Sequence, residues 1–549
     1  LGAGFSVVFE SGASTELTFT PGLAQNYLSL IGHFSFDSDL RIKSASMQAY
    51  FSQFKDQIIG EYHTIQTPFH DSIRIIYADW TASGRMYAPI EKRLQEKIMP
   101  LVANTHTDTN DTGSAMTYAY HKAQHLIKKH VGARKSDVLI SASSGMTGVV
   151  NKFQRILGLR LHERFSERVQ LKKEERPVIF VTHMEHHSNQ TSWIETVADV
   201  VVVAPDAQGL VCVDHFAQAI EQYADRKTKI AAVTSCSNVT GIMTPYFEIA
   251  ELMHQHGGLC FVDFACSAPY IDIDMHPDDE EGRYLDAIYF SPHKFLGGPG
   301  TTGILVFNQK LYNNRVPDNP GGGTVDWTNP WGQHKYVNDI EVREDGGTPA
   351  FLQTIKVAMC MQLKEEMGVK NMLKREEELL EIIWDRLPKI PGLHILADQH
   401  RKRLGVISFY IDGLHYNVGV KLLNDHFGIQ TRGGCSCAGT YGHYLLNVSP
   451  EVSDSITSEI SLGNCASKPG WIRMSIHPTM TNEELHYILD AIEALALHFR
   501  EWQQDYDIDL SEGRIQAKDQ ESAQALQRAM DRCFQQMFTK NNTKTGASV

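Results

Sequence analysis

Lys294 ends the run Ser291-Pro292-His293-Lys294, which follows the apolar segment Ala287–Phe290 and precedes Gly297-Gly298-Pro299-Gly300. A lysine at a strand end, flanked by hydroxyl and imidazole groups, suits a Schiff base with an aldehyde. An amine in a partly desolvated, cation-rich place sheds its proton more easily and becomes nucleophilic. The alternative is a surface lysine in a turn. Three other segments share the form of an apolar run followed by chemically able side chains. Ser143-Ser144-Gly145-Met146-Thr147-Gly148 passes from a strand into glycines and hydroxyls at an expected helix start. Backbone N–H groups exposed there cradle an anion such as phosphate, although an ordinary helix cap reads the same. Leu259-Cys260-Phe261-Val262-Asp263 closes a buried strand with a carboxylate able to pair with a protonated ring nitrogen, or simply to start a turn. Met184-Glu185-His186-His187-Ser188-Asn189 offers a titratable aromatic ring. Adjacent histidines could ligate a metal, but no HExxH or cysteine pair accompanies them, so no metal site is expected.

These segments need a scaffold that brings strand ends together. The runs 138–141, 178–182, 200–203, 230–234 and 259–263 are short, apolar and mostly β-branched, with helical stretches such as 246–256 between them. That alternation predicts an α/β fold with a mostly parallel sheet covered on both faces. Ligands of such sheets sit beyond the carboxyl ends of the strands, where the four segments lie. Residues 73–77 read as a further strand ending at Asp79, preceded by a helix over 46–63. After Gly346-Gly347-Thr348-Pro349 the pattern changes. A long helix interrupted at Gly368, a strand at 406–411, a helix at 418–426 and a closing amphipathic helix at 485–499 predict a second, smaller α/β unit. The expected organisation is an extension over 1–45, a helical segment plus large domain over 46–365, a small C-terminal domain over 366–505, and a C-terminal extension over 506–549. A last helix is expected to align Leu526, Met530, Cys533 and Met537.

The 549 residues carry 51 Lys+Arg and 65 Asp+Glu, so the net charge is 51 − 65 = −14 with histidines neutral. That balance argues against binding a nucleic-acid backbone. No apolar stretch is long enough to span a membrane. The first basic residue is Arg41, which leaves no basic region for a signal or transit peptide. Nine scattered cysteines make no disulfide framework, so a reducing cytoplasm is expected.

The ordered set Gly145-Met146-Thr147, Glu185-His186, Ser237-Asn238, Asp263-Phe264-Ala265 and Ser291-Pro292-His293-Lys294 resembles the fold-type I pyridoxal-phosphate enzymes of the class V aminotransferase superfamily. Within it the chain is most similar to the cysteine desulfurase and selenocysteine lyase group, from about Tyr77 to Phe499. The resemblance implies that Lys294 forms the imine with pyridoxal 5'-phosphate and later moves the proton at the substrate Cα. It implies that Asp263 holds the pyridine nitrogen protonated, that His186 stacks on the ring and serves in proton transfer, and that Asn238 hydrogen-bonds the phenolic oxygen. Thr147, the backbone at Met146, Ser291 and His293 would hold the phosphate. Thr348 resembles a residue lent to the phosphate by a neighbouring subunit, and Gly321-Gly322-Gly323 another part of that edge, so a homodimer is implied.

The second half carries the residues specific to one reaction. Thr431-Arg432-Gly433-Gly434-Cys435-Ser436-Cys437-Ala438 resembles the group's sulfur-accepting loop, with Cys437 as the nucleophile that carries a persulfide. A thiolate is required because the attack falls on substrate sulfur. Trp471-Ile472-Arg473-Met474-Ser475 resembles the segment whose arginine clamps both oxygens of the substrate carboxylate at once; an ordinary strand-edge arginine is the alternative. The implied activity is removal of sulfur or selenium from an L-cysteine-type amino acid to give alanine, with transfer to an acceptor protein. Alternatives are a C–S β-lyase, transaminase or epimerase that does not use Cys437, or a cofactor-binding sulfur-relay scaffold. Three departures stand out. Cys266 occupies the place where the group commonly has a Gln, Cys435 and Ser436 stand where many relatives have histidines, and 447–469 is an insertion. Cys435 could be a resolving thiol, a second acceptor or a small buried residue; a disulfide to Cys437 would be strained.

Overall fold

The computed structural model describes residues 5–8, 14–17, 46–105, 107, 109–142, 145–166, 168–518 and 525–536. Residues 1–46 form one unit, in which Phe5–Val8 and Ser14–Leu17 pair antiparallel. The second unit contains everything discussed below.

Its large sheet is made of β1 (Asp137–Ala142), β2 (Val178–Thr182), β3 (Asp199–Val203), β4 (Lys229–Thr234), β5 (Leu259–Asp263), β6 (Ala287–Phe290) and β7 (Gly303–Asn308). The order is β1-β7-β6-β5-β4-β2-β3. Only β7 runs against its neighbours, so the sheet is mostly parallel, as expected. The strands read as continuous apolar runs because the central ones are buried on both faces. Phe180, Val181, Ala231, Ala232, Phe261 and Val262 have no exposed surface. With β7 reversed, the carboxyl ends of β1, β2, β4, β5 and β6 share one edge, and that edge carries the residues singled out above.

A second sheet has β8 (Leu393–Ile395), β9 (Val406–Ile411), β10 (Arg432–Gly434) and β11 (Trp471–Ser475) in the order β8-β9-β11-β10. Its core is separate from that of the large sheet and centres on Ile407, Phe409, Ile472 and Met474. The long helix is interrupted as expected. Phe351–Met367 gives way to Val369–Arg386 at Gly368, whose φ of +73° is costly for any residue with a Cβ. The closing helix Asn482–Trp502 begins with a capping box between Thr481 and Glu484.

Two expectations fail near the start. The helix stops at Lys55, and the chain then turns through Gly60 at φ +83°. The single strand over 73–77 is instead the end of a hairpin, Thr64–Thr67 with His70–Arg74, followed by a separate pair of residues, Ile76–Tyr77. Ile76–Tyr77 runs parallel to Ile429–Gln430, more than 350 positions later in the chain, so the partner that redirects it is non-local. At the far end, the hairpin Tyr506–Asp509 and Arg514–Ala517 buries Tyr506 and Ala517 in the core of the second sheet. The last helix is Ala525–Gln536, and Met537 lies outside the described residues.

Helix α1 (Gly145–Ile156) follows β1 and is held by a buried charge cluster. Lys152 Nζ lies 2.7 Å from Glu344 Oε2, with side chains 2% and 0% exposed, and Tyr312 donates to Glu344 Oε1 at 2.7 Å. Removing Glu344 leaves Lys152 buried with only the more distant Asp318, at 3.6 Å, as counter-charge. Glu344→Ala is therefore expected to destabilise the protein by about 3–5 kcal/mol in urea denaturation, and a shift within error would show that α1 is held by other contacts.

Candidate active site

The loops after β1, β2, β4, β5 and β6 and two strands of the small sheet enclose a cavity of about 200 Å³. Lys294, Asp263, His186, Asn238, Met146, Thr147, Ser291, His293 and Arg473 all line it. Lys294 follows β6 in a short turn, Pro292–Lys294. The turn is fixed from outside by residues 79–84. Gly84 N–H donates to the His293 carbonyl at 2.9 Å, and a Cβ on Gly84 would lie 2.0 Å from the Phe295 carbonyl oxygen. Only glycine permits that approach.

The Lys294 amine has no hydrogen-bond partner among the described residues. Burial lowers its pKa from the usual lysine value; Cys266 and Asp263 oppose that shift, and Arg473 and Arg432 add to it. Asp263 ends β5 fully enclosed, and burial pushes its carboxyl up to about 6, against an N–H bond from Ala265 at 2.8 Å and the charge of Lys294. His186 is the N-cap of α2 (His187–Ile194) and its Nδ1 accepts the Ser188 N–H at 3.1 Å, which leaves Nε2 protonated. Burial, then Lys294, drives His186 down to about 3, so the ring is neutral at any ordinary pH. His293, driven to about 4 by burial and Lys294, reaches Ser83 Oγ at 3.3 Å.

The start of α1 forms an anion cradle. Gly145 opens α1 with φ +76°, and a Cβ there would press on Ser291 Oγ at 3.1 Å. Met146 N–H donates to Ser291 Oγ at 2.8 Å, and Thr147 Oγ1 pairs with Ser188 Oγ at 2.6 Å. Helix-start N–H groups with three hydroxyls around them suit a phosphate. Ser143 and Ser144, which belong to the same run of sequence, lie outside the described residues.

The small sheet supplies cations. Arg473 on β11 is in register with Arg432 on β10, so both guanidiniums project from one face into the cavity. Like charges directly opposite are unfavourable unless an anion joins them. Asp79 does so in part, at 2.7 Å from Arg473 Nη2, while Nη1 donates to the Asn238 carbonyl at 3.1 Å and the buried Nε has no partner. The side chain of Asn238 donates to the Ser436 carbonyl at 2.8 Å.

Two expected residues do not line the cavity. Thr348 is exposed on the segment between Ile340–Glu344 and the helix Phe351–Met367. Cys437 sits just behind the wall, since its neighbour Ser436 lines the cavity and Arg432 Nη2 reaches Cys437 Sγ at 3.7 Å. The loop is pinned by His187 N–H on the Cys437 carbonyl at 2.7 Å and by Trp471 Nε1 on Ser436 Oγ at 3.2 Å. Asp79, Arg432 and Cys236 belong to the site but were not singled out from the sequence for a role in it. Asp79 had the available signal, a carboxylate at the end of an apolar run, as at Asp263.

The residues present fit pyridoxal phosphate: an amine without a partner, a carboxylate for a ring nitrogen, an imidazole wall and a phosphate cradle share one cavity. Asp263 also makes the stability of the apoprotein pH-sensitive. Its folded pKa lies above the unfolded value, so its contribution to stability is full below about pH 4 and lost as pH rises through 6. In apoprotein, Asp263→Asn is expected to gain stability over wild type by up to ~3 kcal/mol between pH 4 and pH 8. Melting curves at the two pH values with no pH-dependent gain would contradict the burial of this charge.

The Aminotransferase class-V family model matches residues 76–488. A probable cysteine desulfurase of Halalkalibacterium halodurans is 28% identical over 368 residues, 66% of this chain and 84% of that protein. One from Staphylococcus aureus (strain COL) is 28% identical over 369 residues, 66% of this chain and 83% of that protein. Among solved structures, the apo cysteine desulfurase from Thermococcus onnurineus NA1 superposes with a TM-score of 0.65 at 21% identity, covering 81% of this chain and 98% of that one. The cysteine desulfurase CsdA (S-sulfonic acid) from Escherichia coli gives 0.63 at 20%, covering 82% and 98%. These two likenesses concern the fold.

Proposed function

The chain belongs to the class V aminotransferase family, whose members work with pyridoxal phosphate, and from that premise we propose that it is a cysteine desulfurase-like enzyme in which Cys437 accepts sulfur from an L-cysteine-type substrate and alanine is released. The single observation that carries the step from family to reaction is the contact of Arg432, a cavity residue, with Cys437 Sγ at 3.7 Å. It ties a thiol to the same space that the lysine amine faces.

When bound, pyridoxal phosphate supplies a carbonyl that captures an amine and a ring that withdraws electrons from the substrate Cα. Lys294 would hold it covalently, Asp263 would bind the ring nitrogen, His186 would cover one face, Asn238 would face the phenolic oxygen, and Met146 N–H, Thr147, Ser291 and His293 would take the phosphate. The substrate carboxylate would lie on Arg473, whose unpartnered Nε and outer Nη protons supply the two-point contact. Lys294, its pKa lowered by burial, takes the Cα proton and returns it at the product carbon. His186, neutral and with Nε2–H exposed to the cavity, can donate a hydrogen bond but does not store a proton near neutrality. Cys437 Sγ attacks the substrate sulfur: the new S–S bond forms, the substrate C–S bond breaks, and the persulfide goes on to an acceptor protein.

Thr348 is exposed and lines no part of this chain's own cavity, and Gly321 and Gly322 are exposed beside it. That supports a homodimer in which Thr348 serves the phosphate of the second copy. Among the described residues no helix is long and apolar enough to cross a membrane.

Cys437→Ser is expected to lower alanine formation from cysteine at least 100-fold while the cofactor's absorption still responds to cysteine. Unchanged alanine formation would eliminate the thiol step; pyruvate or a racemised product at the wild-type rate would assign a lyase or epimerase instead. Asp79→Asn is expected to raise KM for cysteine about tenfold (~1.4 kcal/mol) with kcat little changed, because Asp79 orients the carboxylate-binding guanidinium. Binding of cysteamine, which has no carboxylate, should not move. Equal losses for both ligands would show that Asp79 acts only on folding.

A further inference from the structure

Two thiols in the cavity wall take no part in the chemistry described so far. Cys236 follows β4 by two residues and Cys266 follows β5 by three. These strands are parallel neighbours with Thr234 opposite Asp263, so the two loops leave the sheet side by side. Both sulfurs lie against one acceptor, the Ser237 carbonyl oxygen, at 3.6 Å for Cys236 and 3.7 Å for Cys266. Each thiol is near enough to influence the other's protonation. Both are free cysteines, 0% and 6% exposed, and both line the cavity.

Their surroundings divide the roles. Cys266 is lowered from the ordinary thiol value, first by the neighbouring Cys236 and further by Lys294 and Arg473, against burial and Asp263. Cys236 is pushed well up by burial and by its neighbour. Cys266 is thus the more acidic of the two sulfurs while Cys236 keeps its proton within reach, the arrangement by which a thiol is oxidised and then resolved.

We propose that Cys236 and Cys266 form a reversible, peroxide-responsive disulfide in the wall of the cavity. The Cys266 thiolate attacks a peroxide oxygen; an S–O bond forms, the O–O bond breaks, and hydroxide leaves and is protonated to water. Cys266 is then a sulfenic acid. The Cys236 sulfur attacks it, the S–S bond forms, the S–O bond breaks, and the hydroxyl departs as water with the Cys236 proton. Two electrons pass from the thiol pair to hydrogen peroxide, which becomes two waters, and a dithiol reductant restores both thiols. The bond ties the loop of Asn238 to the loop of Asp263, two walls of the cofactor site.

The inference does not rest on the desulfurase reading, and its test needs no turnover. Holoenzyme is exposed to hydrogen peroxide, alkylated, digested without reduction and mapped by mass spectrometry. The expected product is a peptide pair joined through Cys236 and Cys266 that disappears after dithiothreitol. It should form equally in the Cys437→Ser protein and be lost in Cys236→Ala, where Cys266 proceeds to the sulfinic acid. Full alkylation of both residues after a treatment that oxidises the exposed Cys465 overturns the proposal. So does a link from either residue to Cys437 in place of the expected one. Wild-type mapping decides the matter alone if a variant does not fold.

Discussion

A desolvated amine with no hydrogen-bond partner among the described residues is an unfavourable thing to build, and the architecture around Lys294 is organised by it. Desolvation lowers the lysine pKa, and Asp263 and the Cys266 sulfur limit the fall. A parallel sheet is well suited to hold such a group. Six strands end on one edge, each loop can present a polar side chain without burying its backbone unpaired, and a helix follows β1 to receive an anion. The amine, the carboxylate and the phosphate cradle come from three different strands, so their separation is set by strand spacing and not by any flexible loop.

The second sheet contributes charge of the opposite kind. Arg432 and Arg473 are cross-strand neighbours, an arrangement that costs free energy in a closed protein and becomes favourable when an anion lies between them. Asp79 balances one of the two. Its position depends on the short strand Ile76–Tyr77, which joins Ile429–Gln430, and on Ser475, whose N–H donates to Ala78 and whose Oγ accepts from Thr81. A few residues near the start of the fold therefore connect the cavity of the large sheet to the cations of the small one.

The large sheet was legible because its strands are buried on both faces. Predicted runs at 178–182, 259–263 and 287–290 coincide with β2, β5 and β6 to the residue, since a run without exposed positions admits little else at that length. The residues at their ends were legible for the same reason: once the strands are fixed, His186, Asp263 and Lys294 must share an edge. What escaped was non-local. Nothing in the composition of 64–77 says that the chain pairs with itself through Arg74 and then with Ile429, and so Asp79 did not present itself as a partner of Arg473. The separation of Cys437 from the cavity wall was also hidden, because it arises from backbone conformation and not from residue type.

That conformation has a consequence of its own. Ser436 and Cys437 both adopt positive φ, +52° and +58°, which disfavours two consecutive residues with side chains. The loop keeps this shape because it is bound to the cofactor wall: Asn238 holds the Ser436 carbonyl, Trp471 the Ser436 hydroxyl, and the residue after His186 holds the Cys437 carbonyl. Asn238 thus both lines the cavity and holds the thiol loop, and His187, which holds it from the other side, adjoins the cavity residue His186. Any movement of the Cys437 thiol would require the loop to release some of these bonds, and relief of backbone strain would offset part of their loss.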